Sequence, residues 1–271
     1  MIPAIKIEAP PELAAVRTRL ESIDIKNFAD IQQLIGTTDA ESEIRVELAP
    51  ENSEVAQRIP QWISGFAVAG SSRIVIFPAR SPGYPNTTLE DVLRHEVAHV
   101  LIWRAAGNQP VPRWFDEGLA MTVERGRRFQ DQTQLFFQLV GSSHTTLSEL
   151  DRLFSRGQND QIRAYALAGA IVDDVFQRYG PSACRDILMH MSRGEDFDTS
   201  FKAVTALTPE GLDAEFWRRQ RIWTIWIPIL GSSTTLWIVV TILAILAIYM
   251  RRKRNQRMEE EWAKEDPPED R

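Results

Sequence analysis

The segment His95-Glu96-Val97-Ala98-His99 concentrates residue types that can do chemistry together. On a helix, residues four apart lie about 40° apart around the axis, so both imidazoles face one point. A zinc ion takes nitrogen donors at about 2 Å in tetrahedral array, and one helical turn supplies two of them. Glu96 stands beside His95, where its carboxylate can reach a water activated at such an ion without taking a coordination position. The pattern therefore carries two ligands and a general base. Two histidines can fall at this spacing by chance, so the flanking sequence has to decide.

The flanks read as a helix. Thr87 and Thr88 are followed three residues on by Glu90 and Asp91, a capping-box pattern whose acids suit the positive end of the helix dipole. Leu89, Val92, Leu93, Val97, Val100, Leu101 and Trp103 give a broad apolar surface. Gly107 is the expected stop, with Pro110 beyond it. Two histidines and a glutamate inside a buried helix are costly unless something binds them.

Catalytic zinc usually takes three protein ligands and keeps one position open. Downstream runs Pro112-Arg113-Trp114-Phe115-Asp116-Glu117-Gly118-Leu119-Ala120. This segment, with His95-Glu96-x-x-His99 before it, resembles the gluzincin-type zinc metallopeptidases of the peptidase MA-like superfamily. The resemblance implies that Glu117, eighteen residues after His99, is the third ligand to one Zn2+ per chain. Asp116 is read as a cap or as support for the site. The Gly and third His of the metzincin pattern would fall at Ile102 and Ala105, which excludes that subclass. Tyr165, at the head of the apolar stretch Ala164–Ala170, matches a tyrosine that hydrogen-bonds the developing oxyanion in such peptidases. A buried core tyrosine is the competing reading. No G-A-M-E-N-like segment is present, so exopeptidase activity is not implied. The resemblance covers residues 40 to 220.

Around these residues, Ile5–Ile7, Ile44–Leu48, Gly65–Ala69 and Arg73–Phe77 read as strands, the last two joined by a Gly-Ser-Ser turn. Helices are expected at Glu12–Leu20 and Phe28–Ile35, then from residue 128 to 220, including Leu135–Val140, Leu147–Phe154, Ile162–Tyr179 and Ala183–Met191, with a last one opening at Pro209. Ser81–Asn86 is a turn-rich loop placed to line a cleft. The family's substrate lies along an edge strand by strand addition. Arg73–Phe77 is the candidate here, with an interior strand as the alternative. His144 and His190 fit no ligand pattern.

Length and composition allow one good-sized core with appendages: 271 residues, 44% hydrophobic, 25% charged. A net charge of -6 argues against nucleic acid as a partner. Cys184 is the one cysteine, so no intramolecular disulfide can form.

From Ile222 to Met250 no charged residue occurs, and Arg251-Arg252-Lys253-Arg254 follows at once. About 20 apolar residues suffice to cross a bilayer, and the denser basic cluster marks the cytoplasmic side. The expectation is a single-pass membrane protein that meets the lipid bilayer through residues 222–250, its peptidase domain extracytoplasmic and its tail cytoplasmic. An exported domain needs a signal, and the first thirty residues hold no basic stretch followed by an apolar one. The signal is therefore expected upstream of the recorded start. A trimmed chain, or a tail-anchored one with its domain in the cytosol, is the alternative.

The fold expected is α+β: a gluzincin/thermolysin-like domain with a small N-terminal mixed sheet, the active-site helix and a helical half, followed by one transmembrane helix. Its parts are residues 1–40 (N-terminal strand and helices), 41–221 (zinc peptidase-like domain), 222–250 (transmembrane helix) and 251–271 (charged tail). The activity implied is hydrolysis of a peptide or protein substrate, with Glu96 and Tyr165 catalytic and His95, His99 and Glu117 on the metal. Two rival readings are a non-catalytic peptidase-like membrane protein that binds a partner and a zinc hydrolase acting on a non-peptide amide.

Overall fold

A computed structural model describes residues 3–23, 29–36, 43–81, 86, 88–125, 144–231 and 233–265. Phe28, most of the expected cleft loop (82–85) and the expected helix at 135–140 lie outside the described residues. The chain divides into two compact units, Met1–Trp217 and Arg218–Arg271.

The first unit opens on a four-stranded sheet of β1 (Ile5–Glu8), β2 (Ile44–Leu48), β3 (Gly65–Ala67) and β4 (Arg73–Ile76), in the order β1-β2-β4-β3. β1, β2 and β4 run parallel, with Ile7 opposite Val46 and Val46 opposite Ile74; β3 returns antiparallel, with Phe66 opposite Val75. The expected Gly-Ser-Ser turn joins β3 to β4, with Gly70 at φ 72, a conformation that needs no Cβ in the way. Arg73–Phe77, the candidate edge strand, is in fact interior. Its run Ile74-Val75-Ile76-Phe77 is wholly buried, as a strand covered on both faces must be. Ile74 and Ile76 join the main core, whereas Val75 and Phe77 pack with Ala49 and Ala56 on the other face. The edge on this side is β3, which is only half-buried.

Helices α1 (Ala14–Glu21), α2 (Ala29–Ile35) and α3 (Glu54–Arg58) accompany the sheet. The fourth, α4 (Leu89–Ala105), is the expected metal helix and packs on β3 and β4. Thr88 caps it: its Oγ1 accepts from Asp91 N–H at 3.1 Å, and its own N–H donates to Asp91 Oδ2 at 2.9 Å. Gly107, at φ 66, follows its end where a Cβ would meet the Ser192 backbone at 2.8 Å.

The helical half comprises α5 (Arg113–Arg125), α6 (Leu147–Leu153), α7 (Gln158–Tyr179), α8 (Ala183–Ser192), α9 (Phe197–Thr205) and the start of α10 (Pro209–Gly231). α5 lies between α4 and α7. Its contact with α7 is so close that a Cβ on Gly118 would fall 2.5 Å from the Ala168 carbonyl oxygen and 2.6 Å from Val172 Cγ2.

The second unit contains α11 (Ser233–Glu265), on which Trp237, Leu243, Ile245 and Leu246 are exposed. Here the α+β reading with a transmembrane helix needs correction. The chain is mostly helical with a small mixed sheet, and among the described residues no helix is long and apolar enough to cross a membrane. The uncharged run Ile222–Met250 is shared between α10, which ends at Gly231, and α11, which starts at Ser233 and continues through Arg251–Arg254 to Glu265. A stretch that reads as one span thus belongs to two helices, one of which is heavily charged over its second half. The expected single-pass localisation, the extracytoplasmic domain with a cytoplasmic tail, and the bilayer contact through 222–250 are withdrawn on the same finding.

Candidate metal centre

α4 and α5 bring the chemistry-bearing side chains together. His95 and His99 stand one turn apart on α4, and Glu117 reaches them from the second turn of α5. His95 Nε2 and His99 Nε2 are 3.1 Å apart, and Glu117 Oε2 lies 3.4 Å from the first and 3.3 Å from the second. A tetrahedral ion with bonds of about 2.0–2.1 Å needs its donors about 3.3–3.4 Å apart, so the three atoms already have the spacing of one face of a zinc site. They can hold a metal ion.

The electrostatics agree with that donor set. Burial would raise the Glu117 carboxyl, but the His99 charge and the closeness of both imidazoles hold it far below the ordinary carboxylate range. Burial would lower His99, yet Asp116 and Glu117 push it well above an ordinary histidine. Three acceptor atoms converging in a buried space require positive charge among them, from a shared proton or from a cation.

Neighbours fix these groups in place. Asp116 Oδ1 lies 2.9 Å from His99 Nδ1, which directs the Nε2 lone pair at the site, the usual second-layer arrangement around metal-bound imidazole. Asp116, read from sequence as a cap or as support for the site, has its carboxylate against His99. The Trp114 N–H, otherwise an open donor in the first turn of α5, donates to Asp151 Oδ1 of α6 at 2.9 Å. Nothing in the sequence marks Asp151, which is distant in the chain and stands between Leu150 and Arg152 on a short helix with no motif of its own. Gly118, in sequence only one residue of the Glu117 segment, lets α5 touch α7.

Glu96 is buried beside His95, under the edge strand: a Cβ on Gly65 of β3 would sit 3.3 Å from Glu96 Cγ. Burial raises its carboxyl above the ordinary range, and the two histidines and a hydrogen bond from the Ala67 backbone oppose that. Such an acid is poised to exchange a proton nearer neutrality. Tyr165, half-buried on α7, sets its ring edge-on to His95, with centroids 6.2 Å apart, and packs against Phe154 at 5.3 Å. Burial, then Glu117 and Glu96, keep its hydroxyl protonated to well above its ordinary value, so it stays a hydrogen-bond donor. The other two histidines lie outside the group. His144 is near Asp213 and Trp217, and His190 pairs with Glu195.

The same region matches a known family. The family model of the peptidase MA superfamily matches residues 55–222, which include β3, β4, α4, α5 and α7. No curated protein matches the chain.

Proposed function

The chain belongs to the peptidase MA superfamily, and from that premise we propose that it is a zinc-dependent peptidase of the gluzincin type. His95, His99 and Glu117 are the ligands, and peptides or proteins are the substrates. The observation that carries the reading is the mutual spacing of three donor atoms, 3.1, 3.3 and 3.4 Å, on buried His95 and Glu117 and half-buried His99, with a buried glutamate adjoining them.

Bound zinc supplies Lewis acidity, polarising a peptide carbonyl and easing deprotonation of water. The remaining work falls to side chains. Glu96 accepts the proton of the attacking water at its carboxylate and delivers it to the leaving amine. Asp116 orients His99. Tyr165 donates its hydroxyl hydrogen to the oxygen that gains charge in the transition state. The superfamily is usually zinc-dependent, and the donor set here suits zinc.

The test is Glu96→Gln, which keeps the size and burial of the side chain and removes its basicity. It should retain one zinc per chain by elemental analysis and lose about 10²–10⁴-fold in turnover. Undiminished hydrolysis by that variant would sink the mechanism. Stoichiometric zinc in a parent chain that cleaves no peptide would favour a peptide-binding role instead.

A further inference from the structure

We infer that Arg113 is the substrate-selecting cation of this site, recognising a carboxylate that the peptide carries beside the scissile bond. The inference rests on the peptidase reading above and deepens it.

Arg113 opens α5 one turn before Glu117, so both project from the same face. Its Nε lies 3.5 Å from Glu117 Oε1, while Glu117 Oε2 faces the histidines. The guanidinium carbon stands 4.9 Å over the Phe154 ring, whose neighbour is Tyr165, whose neighbour in turn is His95. These five side chains make a continuous wall from the metal ligands to the cation.

Arg113 is held but not spent. Its polar contacts among the described residues are long, 3.5 Å to Glu117 and 3.4 Å from Nη1 to Ser155 Oγ, against about 2.7–2.9 Å for a strong charge-assisted bond. Its side chain is 43% exposed while that of Glu117 is 9% exposed. A structural arginine in the same molecule looks different. Arg80 is 5% exposed and makes six hydrogen bonds to Glu51 and to the carbonyls of Ala56, Ile59, Pro60 and Ile63. Arg113 therefore presents a planar fork, braced on an aromatic ring, with donors to spare at the exposed end of that wall. A guanidinium so placed matches a carboxylate in two-point contact. Two sources offer that group: an Asp or Glu side chain, or the free C-terminus of a short peptide.

The experiment uses the full chain loaded with zinc. A degenerate octapeptide pool read by mass spectrometry identifies a cleaved sequence. That peptide is then remade as a Glu/Gln pair at each position flanking the cleaved bond, and as a C-terminal acid/amide pair. The parent should favour the charged member of one pair by about tenfold in kcat/KM, chiefly through KM. In Arg113→Met that ratio should fall to about one, and in Arg113→Glu the preference should pass to a Lys-containing peptide. A Glu/Gln preference identifies the side chain as the source, and an acid/amide preference the terminus. A merely positioning arginine would alter zinc content or kcat for all peptides alike and leave the ratio untouched, which overturns the inference. So does a parent ratio near one in every pair. If zinc binds and nothing is cleaved, it is the peptidase reading that fails. Calorimetric binding of synthetic Glu- and Gln-containing peptides then decides the matter by the same ratio, which equal affinities would overturn.

Discussion

Around Arg80 and around His99 the chain buries two constellations of polar atoms, and they are built on opposite rules. The Arg80 guanidinium takes both Glu51 oxygens at 2.8 and 3.1 Å and four backbone carbonyls at 2.8 to 3.3 Å, and it lies 4.2 Å from the Phe77 ring centroid. Every donor meets an acceptor, and the result is a clasp that ties the segment 51–63, the approach to edge strand β3, to the sheet. At His99 the groups that converge are acceptors: two imidazole nitrogens and a carboxylate oxygen within 3.4 Å of one another. A fully matched cluster stabilises a fold by itself, whereas a cluster of like polarity is stable only with something added. The difference separates a structural site from a ligand site without recourse to motifs.

The largest effect expected from that distinction is on the response to metal. Zinc should raise the unfolding temperature of the parent chain, by about 4 kcal/mol of added stability when free zinc stands a thousandfold above its dissociation constant. Glu117→Ala should lose most of this response, since two donors replace three. Differential scanning fluorimetry with and without a chelator measures it, and an unaltered response in the variant would break the comparison on the metal side.

Arg80→Met is the complementary probe. It should cost about 3 kcal/mol in urea unfolding, because four carbonyls lose a buried donor together. The Glu51 partner contributes little to that figure, being 43% exposed. The variant's stabilisation by zinc should persist. If instead it loses the metal response as thoroughly as Glu117→Ala, the two constellations are one cooperative unit and the distinction drawn above is false.

Much of the candidate metal centre is legible in sequence because its spacing is local. His95, Glu96 and His99 fall within two turns of α4, and Thr88 with Asp91 announces where that helix starts. The placement of Glu117 needed a resemblance as well, since the turn between α4 and α5 is not set by periodicity. What escaped was non-local. The alternation that marks β2 says nothing of strand order, so the interior position of β4 became evident only from its pairing with β2 on one side and β3 on the other. Asp151 meets Trp114, and Gly118 meets Ala168, across gaps in the chain that no local pattern spans. The run Ile222–Met250 reads as one span because hydropathy does not show which helices share it: α10 as far as Gly231 and α11 from Ser233.

A smaller effect tests how tightly the metal side depends on helix packing. Gly118→Ala places a methyl 2.5 Å from the Ala168 carbonyl oxygen, and α5 must move off α7 to accept it. The expected cost is about 1–3 kcal/mol, with zinc affinity weakened, because Glu117 moves with its helix. Gly157→Ala is the control: nothing lies within 4 Å of its added Cβ, and its expected cost is only that of a poorer N-cap for α7, about 1 kcal/mol, with zinc affinity unchanged. Equal zinc affinities in the two variants would mean that Glu117 adjusts freely and that the close crossing matters only to stability.

Asp213 sharpens the comparison at its margin, for it is a buried polar group that is neither matched nor convergent. It is 7% exposed, its Oδ1 has no hydrogen-bond partner among the described residues, and its Oδ2 lies 3.9 Å from His144 Nε2. Burial raises its carboxyl above the ordinary range; His144 and the nearby Trp217 oppose this, and Glu149 and Glu210 add to it. A carboxyl raised in the folded state binds its proton more tightly there than in the unfolded chain. Its contribution to stability is therefore complete below about pH 3.9, the ordinary aspartate value, and is lost as pH rises through the folded value. Asp213→Asn cannot ionise, so the variant should match the parent near pH 4 and exceed it, by under about 1 kcal/mol, at pH 8. Unfolding temperatures of the pair across that range measure the difference, and zinc should shift both proteins alike. A flat difference would mean that the carboxylate is already stabilised where it lies; a lost metal response would mean that an isolated unmatched acid can govern the site as strongly as three converging donors do.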